Sequence, residues 1–252
     1  AIADLIDNSI AADAKEIELS FPRTGHEYLT IYDDGIGMSK EGLISAMCYG
    51  SSELNVKRAT KDLGRFGLGL KMASLSQCRQ LIVATKTKPE QSISIACWDL
   101  DDVKKNKSWS LALLEVDELK EIEELDSLKK SDHGTLIIWK KLDILLQECK
   151  GDLESDILKK KLKHSQDHLA LVFHRYLNYF SKIEACLNKD EKELDFISIS
   201  CNGMKLKGVD PFLSEKSTLY FPPENPDQKN PDVYISPWVL PYKISTEDEK
   251  QI

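Results

Sequence analysis

Asp4 and Asn8 stand four residues apart in ADLIDNSIAADA (3–14), a stretch otherwise rich in apolar residues. Positions four apart share a helix face, so a carboxylate and an amide oxygen point the same way, beside an apolar stripe of Ile2, Leu5, Ile6 and Ile10. Read alone, the stretch is more simply a buried helix edged by solvated polar residues. A second group, YDDGIGM (32–38), places Asp33 at the end of a strand. Gly35 and Gly37 follow, spaced so that backbone can pass close to a flat ligand, and Met38 closes the motif. An aspartate there can accept from an amino group; it can equally be a turn carboxylate. The third group, LGRFGLGLK (63–71), sets Gly64, Gly67 and Gly69 directly before a helix. Free N–H groups and the helix dipole favour an anionic phosphate at such a place, although a flexible turn has the same composition. Lys71, one step into that helix, either approaches a phosphate or faces solvent. HGTLIIW (133–139) puts Thr135 at the start of a strand, a common pattern by itself.

The elements that position these residues follow from periodicity. The opening order is helix, strand (EIELSF, 16–21), strand (YLTIYDDG, 28–35). A polar, glycine-punctuated segment, 39–63, precedes the glycine run and its helix. Further strands are predicted at 80–86, 92–100 and 134–139, and the charged stretch between the last two, 101–131, reads as a solvated loop with a short helix around LKEIEELDSL. A long helix is predicted around 153–186. FISISCNGMKL (196–206) reads as a hairpin, because Asn202-Gly203 supplies the positive φ angles of a tight primed turn.

The 252 residues are 41% hydrophobic, enough for one sizeable core and part of another. A net charge of −8 does not give the overall field of a protein that binds nucleic acid by neutralising phosphate, and leaves room for a local basic patch. Six cysteines without CxxC pairing, mostly inside apolar runs, read as reduced core thiols, which predicts an intracellular, cytoplasmic setting. No apolar run reaches bilayer length, so no membrane association is expected. The chain opens on Ala1 inside a helix, and residues before it are expected to exist. The histidines lack partner cysteines at ligand spacing and predict no metal centre of their own.

The ordered set DLIDN, DDGIGM, GRFGLGLK, HGTLIIW, with a polar lid-like segment between the second and third, resembles the GHKL superfamily of ATPases. That superfamily includes gyrase B, the ninety-kilodalton heat-shock chaperone, histidine kinases and MutL. YGSS, GRFGLGLKMAS and GTLIIW look most like the MORC proteins and their prokaryotic relatives. The resemblance covers residues 1 to about 140 and continues more loosely to about 207. It implies an α+β chain: a two-layer α/β sandwich, the Bergerat ATP-binding fold, with helices on one face of a mixed sheet. Residues 1–207 form this domain by that reading, and 208–252 begin a transducer-like second domain.

By the same resemblance, Asn8 is the magnesium ligand, its amide oxygen suited to a hard cation on three phosphates. Asp4 is the general base, where most relatives have glutamate; its carboxylate reaches roughly 1.5 Å less far. Asp33 receives the adenine amino group, Gly37 packs beside the base, Thr135 completes the contact through water, and Gly35 and Met38 count among the nucleotide-binding residues. Gly64, Gly67 and Gly69 form the phosphate-facing hinge. Ala11 and Asp13 stand where relatives often carry aspartate and glycine. Lys57, Arg58, Lys61 and Arg65 make the lid segment locally basic, suiting closure over a triphosphate. The implied function is ATP binding with Mg2+ and slow hydrolysis, with lid closure driving homodimerisation that gates an effector or a DNA clamp. A non-hydrolysing, ATP-dependent switch is the alternative, and phosphoryl transfer of the kinase type ranks below both.

Overall fold

The computed structural model describes residues 1–21, 27–48, 69–88, 90, 92–146, 154–177, 196–213, 217–219, 235 and 237–240. Two compact units emerge, Ala1–Gln166 with Ser198–Lys205, and Asp167–Ile197 with Leu206–Ile252. The first contains every described residue of the four motifs.

Its framework is an eight-stranded sheet. In chain order the strands are β1 (Glu16–Ser20), β2 (Leu29–Asp33), β3 (Gln80–Lys86), β4 (Ser94–Asp99), β5 (Ala112–Leu114), β6 (Gly134–Lys140), β7 (Ser198–Cys201) and β8 (Met204–Lys205). Their spatial order is β5-β4-β3-β6-β2-β1-β7-β8. All neighbours are antiparallel except β1 and β7, which makes the sheet mixed. The β7–β8 turn is the expected one, with Asn202 and Gly203 at φ 48° and 76°.

Burial along the strands tells which faces are covered. β1 alternates buried and accessible residues, as one covered face requires, whereas β3 and β6 are buried almost without interruption. The helices α1 (Ile2–Ala11), α2 (Lys40–Met47) and α3 (Gly69–Leu75) supply one cover: α1 packs on α3, α3 on β3, and α2 on β4. The other cover comes from the charged stretch. Leu119, Ile122, Leu125 and Leu128, carried by a short 3-10 turn (Val116–Leu119) and α5 (Leu125–Lys130), bury against Ile82, Ala84, Ile95, Cys97, Leu136 and Ile138. The charged residues between those four apolar ones stay largely outside, so the solvated reading holds for the charges while the stretch itself closes a core.

Two helices are among the elements that periodicity did not anticipate. In the segment read as polar, Ser39 caps α2, its Oγ accepting from the Gly42 N–H, with Glu41 in the first turn. Likewise Asp99 caps α4 (Leu100–Asn106), which ends in lysines and a left-handed Lys107. Both carry cap signals that apolar periodicity does not register.

The second unit is smaller. Its share of α6 (Glu154–Val172) buries Leu169 and Ala170, Phe173 and Leu177 follow, and Val209 donates to the Ala170 carbonyl. β9 (Thr218–Leu219) and β10 (Trp238–Val239) make a separate antiparallel pair. Among the described residues, Cys78, Cys97 and Cys201 are buried free thiols, raised by burial to about 12, about 11 and about 11 respectively. No described helix is long and apolar enough to cross a membrane.

Candidate functional site

Three adjacent strands end in a polar row. Asp33 of β2 pairs directly with Thr135 of β6, and Thr135 pairs with Thr85 of β3. Directly paired residues point to the same face, so three polar side chains lie side by side, next to the buried Ile31, Ile137 and Val83 of the same strands and face. Their exposures are 4%, 8% and 0%. A buried polar group costs free energy unless it is hydrogen-bonded, so each must have partners.

Asp33 finds them in α1 and in its own turn. The Ser9 hydroxyl donates to Oδ2 at 2.8 Å and the Gly35 N–H donates to Oδ1 at 3.0 Å. Burial still pushes the Asp33 carboxyl up from 3.8 to about 6, against the Ser9 and Gly35 hydrogen bonds, with the Asp34 charge adding to the rise and the Thr135 N–H opposing it. Near neutral pH it is therefore an anion held at a cost in a dry place. The turn that follows is equally confined. A Cβ at Gly37, at φ 69°, would meet the Lys86 carbonyl oxygen at 2.0 Å, and one at Gly35 would meet the Ala12 carbonyl oxygen at 2.8 Å. Only glycine allows these approaches. The Met38 N–H donates to Thr85 Oγ1 at 2.9 Å, and the His133 Nδ1 lies 2.8 Å from the Gly35 carbonyl, to which it donates.

Along α1, Leu5, Ile6 and Ser9 are buried, while Ile2 and Ile10 are only half so. The buried face is thus rotated from the expected stripe toward Ser9. Asn8, half-buried, forms no side-chain hydrogen bond among the described residues. Asp4 is exposed at 59%. The first residue of α3, Gly69, faces it, since a Cβ there would lie 4.0 Å from the Asp4 Cβ. Between Asp4 and Asn8, Asp7 has its carboxyl raised by burial and by the Asp4 charge. Asp13 takes the left-handed φ of 59° just beyond the Ala12 cap.

Lys71 is 2% exposed, not solvent-facing. Its Nζ donates to the Cys48 carbonyl at 2.6 Å beyond the end of α2, and burial lowers its pKa. Gly64 and Gly67, with Lys57, Arg58, Lys61 and Arg65, lie outside the described residues. The structure thus brings together Asp33, Gly35, Gly37, Met38 and Thr135 at the strand ends, and Asp4, Asn8 and Gly69 along α1. Sequence reasoning missed Ser9, Thr85 and His133. Ser9 follows Leu5 by one helical turn and was readable as inward-facing; Thr85 matters only through strand register.

Comparison with known proteins shows the family. The chain belongs to the family of histidine kinase-, DNA gyrase B- and HSP90-like ATPases, matching it over residues 1–135. ATPase morc-1 of Caenorhabditis elegans is 36% identical over 87 residues, 34% of this chain and 10% of that protein. The DNA mismatch repair protein MutL of Dictyoglomus turgidum is 30% identical over 96 residues, 37% of this chain and 17% of MutL. The aligned parts therefore span under a fifth of these relatives' lengths. Among solved structures, the ATPase region of Saccharomyces cerevisiae topoisomerase II aligns with a TM-score of 0.45 at 17% identity, covering 81% of this chain and 47% of that one. The ATPase and transducer domains of DNA topoisomerase II from Balamuthia mandrillaris give 0.47 at 14%, covering 86% and 51%. By its family, matched over residues 1–135, the chain has the Bergerat fold of GHKL ATPases.

Proposed function

We propose that this chain binds ATP with magnesium at the polar row and α1, and hydrolyses it slowly. The observation that carries the reading is the buried, ionisable Asp33 at the end of β2 with acceptor capacity to spare. An ionised carboxylate has about four lone-pair sites; Ser9, Gly35 and Thr135 supply three donors. An exocyclic amine fits the fourth. Gly35 and Gly37 keep the adjoining turn flat enough for a planar base to lie beside it, and Met38 is fixed by Thr85.

Magnesium fits the other end. Among the described residues no group of three or more His, Cys, Asp or Glu side chains could cage a metal. Magnesium does not require one, because it is commonly held by one or two protein oxygens together with phosphates and waters. The Asn8 amide oxygen is available for that purpose. When bound, the metal would neutralise charge on the phosphates. Asp4 then serves as general base, near the start of α3 at Gly69, with a shorter reach than glutamate. Gly64 and Gly67 contribute backbone N–H groups to the phosphates, and Lys71 reaches them by exchanging the Cys48 carbonyl for a phosphate oxygen.

The finer reading is that the basic segment containing Lys57, Arg58, Lys61 and Arg65 closes over the triphosphate. That closure would pair two copies of the chain and gate an effector or nucleic acid, in an intracellular setting, with residues 208–252 beginning a transducer-like domain. The exposed, shorter Asp4 favours a second reading, an ATP-dependent switch without turnover. A magnesium-dependent phosphate-release assay decides between them: slow turnover above background supports hydrolysis, and tight ATP binding with none supports the switch.

A further inference from the structure

Thr85 is wholly buried and touches no solvent, yet its hydroxyl joins three groups. The Met38 N–H lies 2.9 Å away, the Gly134 carbonyl 3.0 Å and the Thr135 hydroxyl 3.2 Å. A hydroxyl has one proton and two lone pairs. The amide can only donate and the carbonyl can only accept. The single Thr85 proton is therefore committed to Gly134, and one lone pair to Met38. The contact with Thr135 is then made with Thr135 donating. This leaves Thr135 Oγ1 with lone pairs and no proton to offer.

The same accounting applies beside it. Ionised Asp33 only accepts, and the Ser9 proton is directed to Asp33 Oδ2 and the Leu5 carbonyl, 2.8 and 3.2 Å away. The Gly35 N–H is taken by Asp33 Oδ1. The side chains of Asp33, Thr135 and Ser9 thus present acceptors alone. A ligand atom, or a water bridging to one, must donate to them.

We propose that Thr85 is a specificity-determining positioning residue: by holding the Thr135 hydroxyl proton, it makes this end of the site read an amino group in preference to a keto group. Thr85 acts through Thr135 without touching the ligand. The inference rests on the ATP reading above, and it adds a residue whose removal changes selectivity as well as affinity.

ATP and ITP share sugar and triphosphate and differ at the base, an amino group against a keto group with a protonated neighbouring nitrogen. Their affinities for the 252-residue chain, measured by titration calorimetry, give a preference ratio that a general loosening of the site leaves unmoved. The parent is expected to prefer ATP. Thr85→Val, which frees the Thr135 proton to turn toward the ligand, is expected to narrow that preference by about tenfold, the scale of one neutral hydrogen bond. Thr85→Ala, which puts no methyl against Gly134, covers the case in which valine disturbs folding and should narrow it similarly. Thr85→Ser keeps the hydroxyl and should retain the parental ratio. An unchanged ratio in the valine and alanine variants, with both affinities lowered equally, would overturn the proposal and leave Thr85 a packing residue. A serine variant as unselective as valine would overturn it too. Absence of ATP binding in the parent is a separate result that removes the ATP reading itself.

Discussion

The strand ends and the α1–α3 end of the candidate site are built on opposite principles. At the strand ends, Asp33, Thr85 and Thr135 are nearly inaccessible, their hydrogen bonds are largely assigned, and two glycines are packed too tightly for any other residue. At the other end, on α1, Asp4 is exposed and Asn8 is half-buried without a side-chain hydrogen bond among the described residues, and on α3 Lys71 is engaged with a backbone carbonyl. The first end is organised before a ligand arrives; the second has groups that a triphosphate and its metal would still recruit. An affinity set at one end and a chemical step set at the other follow naturally, because recognition gains from preorganisation whereas a cycle of binding and release needs parts that change partners.

Substitutions should therefore separate the two ends, and the widest separation lies at Asp4. Asp4→Asn is expected to keep ATP affinity within a small factor and to lower turnover by roughly 10²- to 10⁴-fold, the usual contribution of a positioned base. Asp4→Glu, with its longer reach, is expected to turn over faster than the parent. Steady-state phosphate release beside a binding isotherm checks both, and parental turnover in Asp4→Asn would take the base away from α1.

Asn8→Ala sharpens the contrast within one ligand. Adenosine binding, placed at the strand ends by the proposed reading, should stay parental, while the tightening of ATP by magnesium should fall by about tenfold or more, the scale of disturbing a metal ligand. Isotherms with magnesium and with chelator provide the comparison. Equal metal dependence in variant and parent would move the ligand to another residue.

The strand ends are the more legible half of the site, and also the half in which sequence falls furthest short. Asp33, Gly35 and Gly37 are contiguous, so their turn could be read directly. The row they join could not, since the Asp33–Thr135–Thr85 alignment depends on strand order and register between segments about 50 and 100 residues apart. The same limit hid the second layer of core. Leu119, Ile122, Leu125 and Leu128 recur at three-residue steps within a stretch whose charge dominated the reading, and the face of the sheet they cover is defined only once β3, β4 and β6 are adjacent. Lys71 shows a third limit: a lysine four residues after a glycine faces solvent or phosphate on a helix wheel, and only the place where α2 ends supplies the carbonyl that holds it inside.

Acidity offers a smaller effect that acts on the strand ends alone. The Asp33 carboxyl is raised from 3.8 to about 6, so the folded chain holds that proton more tightly than the unfolded chain does. Its contribution to stability consequently falls as pH rises from 3.8 to about 6, and the cost is complete above that range, on the order of 3 kcal/mol. ATP affinity should move the other way, declining by up to about tenfold per pH unit below 6 as the acceptor is protonated. Melting and binding profiles between pH 5 and 7.5 test whether the two trends oppose each other.

The smallest effect is at the junction of α1 with the base-side turn, where the Ile36 N–H donates to the Ala12 carbonyl. Asp13→Gly removes the strain of a left-handed aspartate and should stabilise the ligand-free chain by about 0.5 to 1 kcal/mol without changing nucleotide affinity. Thermal melting with and without ATP measures it.

On the proposed reading, Asp33 is kept as a buried anion for a ligand's sake, at the expense of the fold. Asp33→Asn tests it with two readings on one sample, an ATP isotherm and a ligand-free melting curve at pH 7.5. The expected result is at least a tenfold loss of ATP affinity and a melting temperature no lower than that of the parent. A folded variant that binds ATP as tightly as the parent would contradict it.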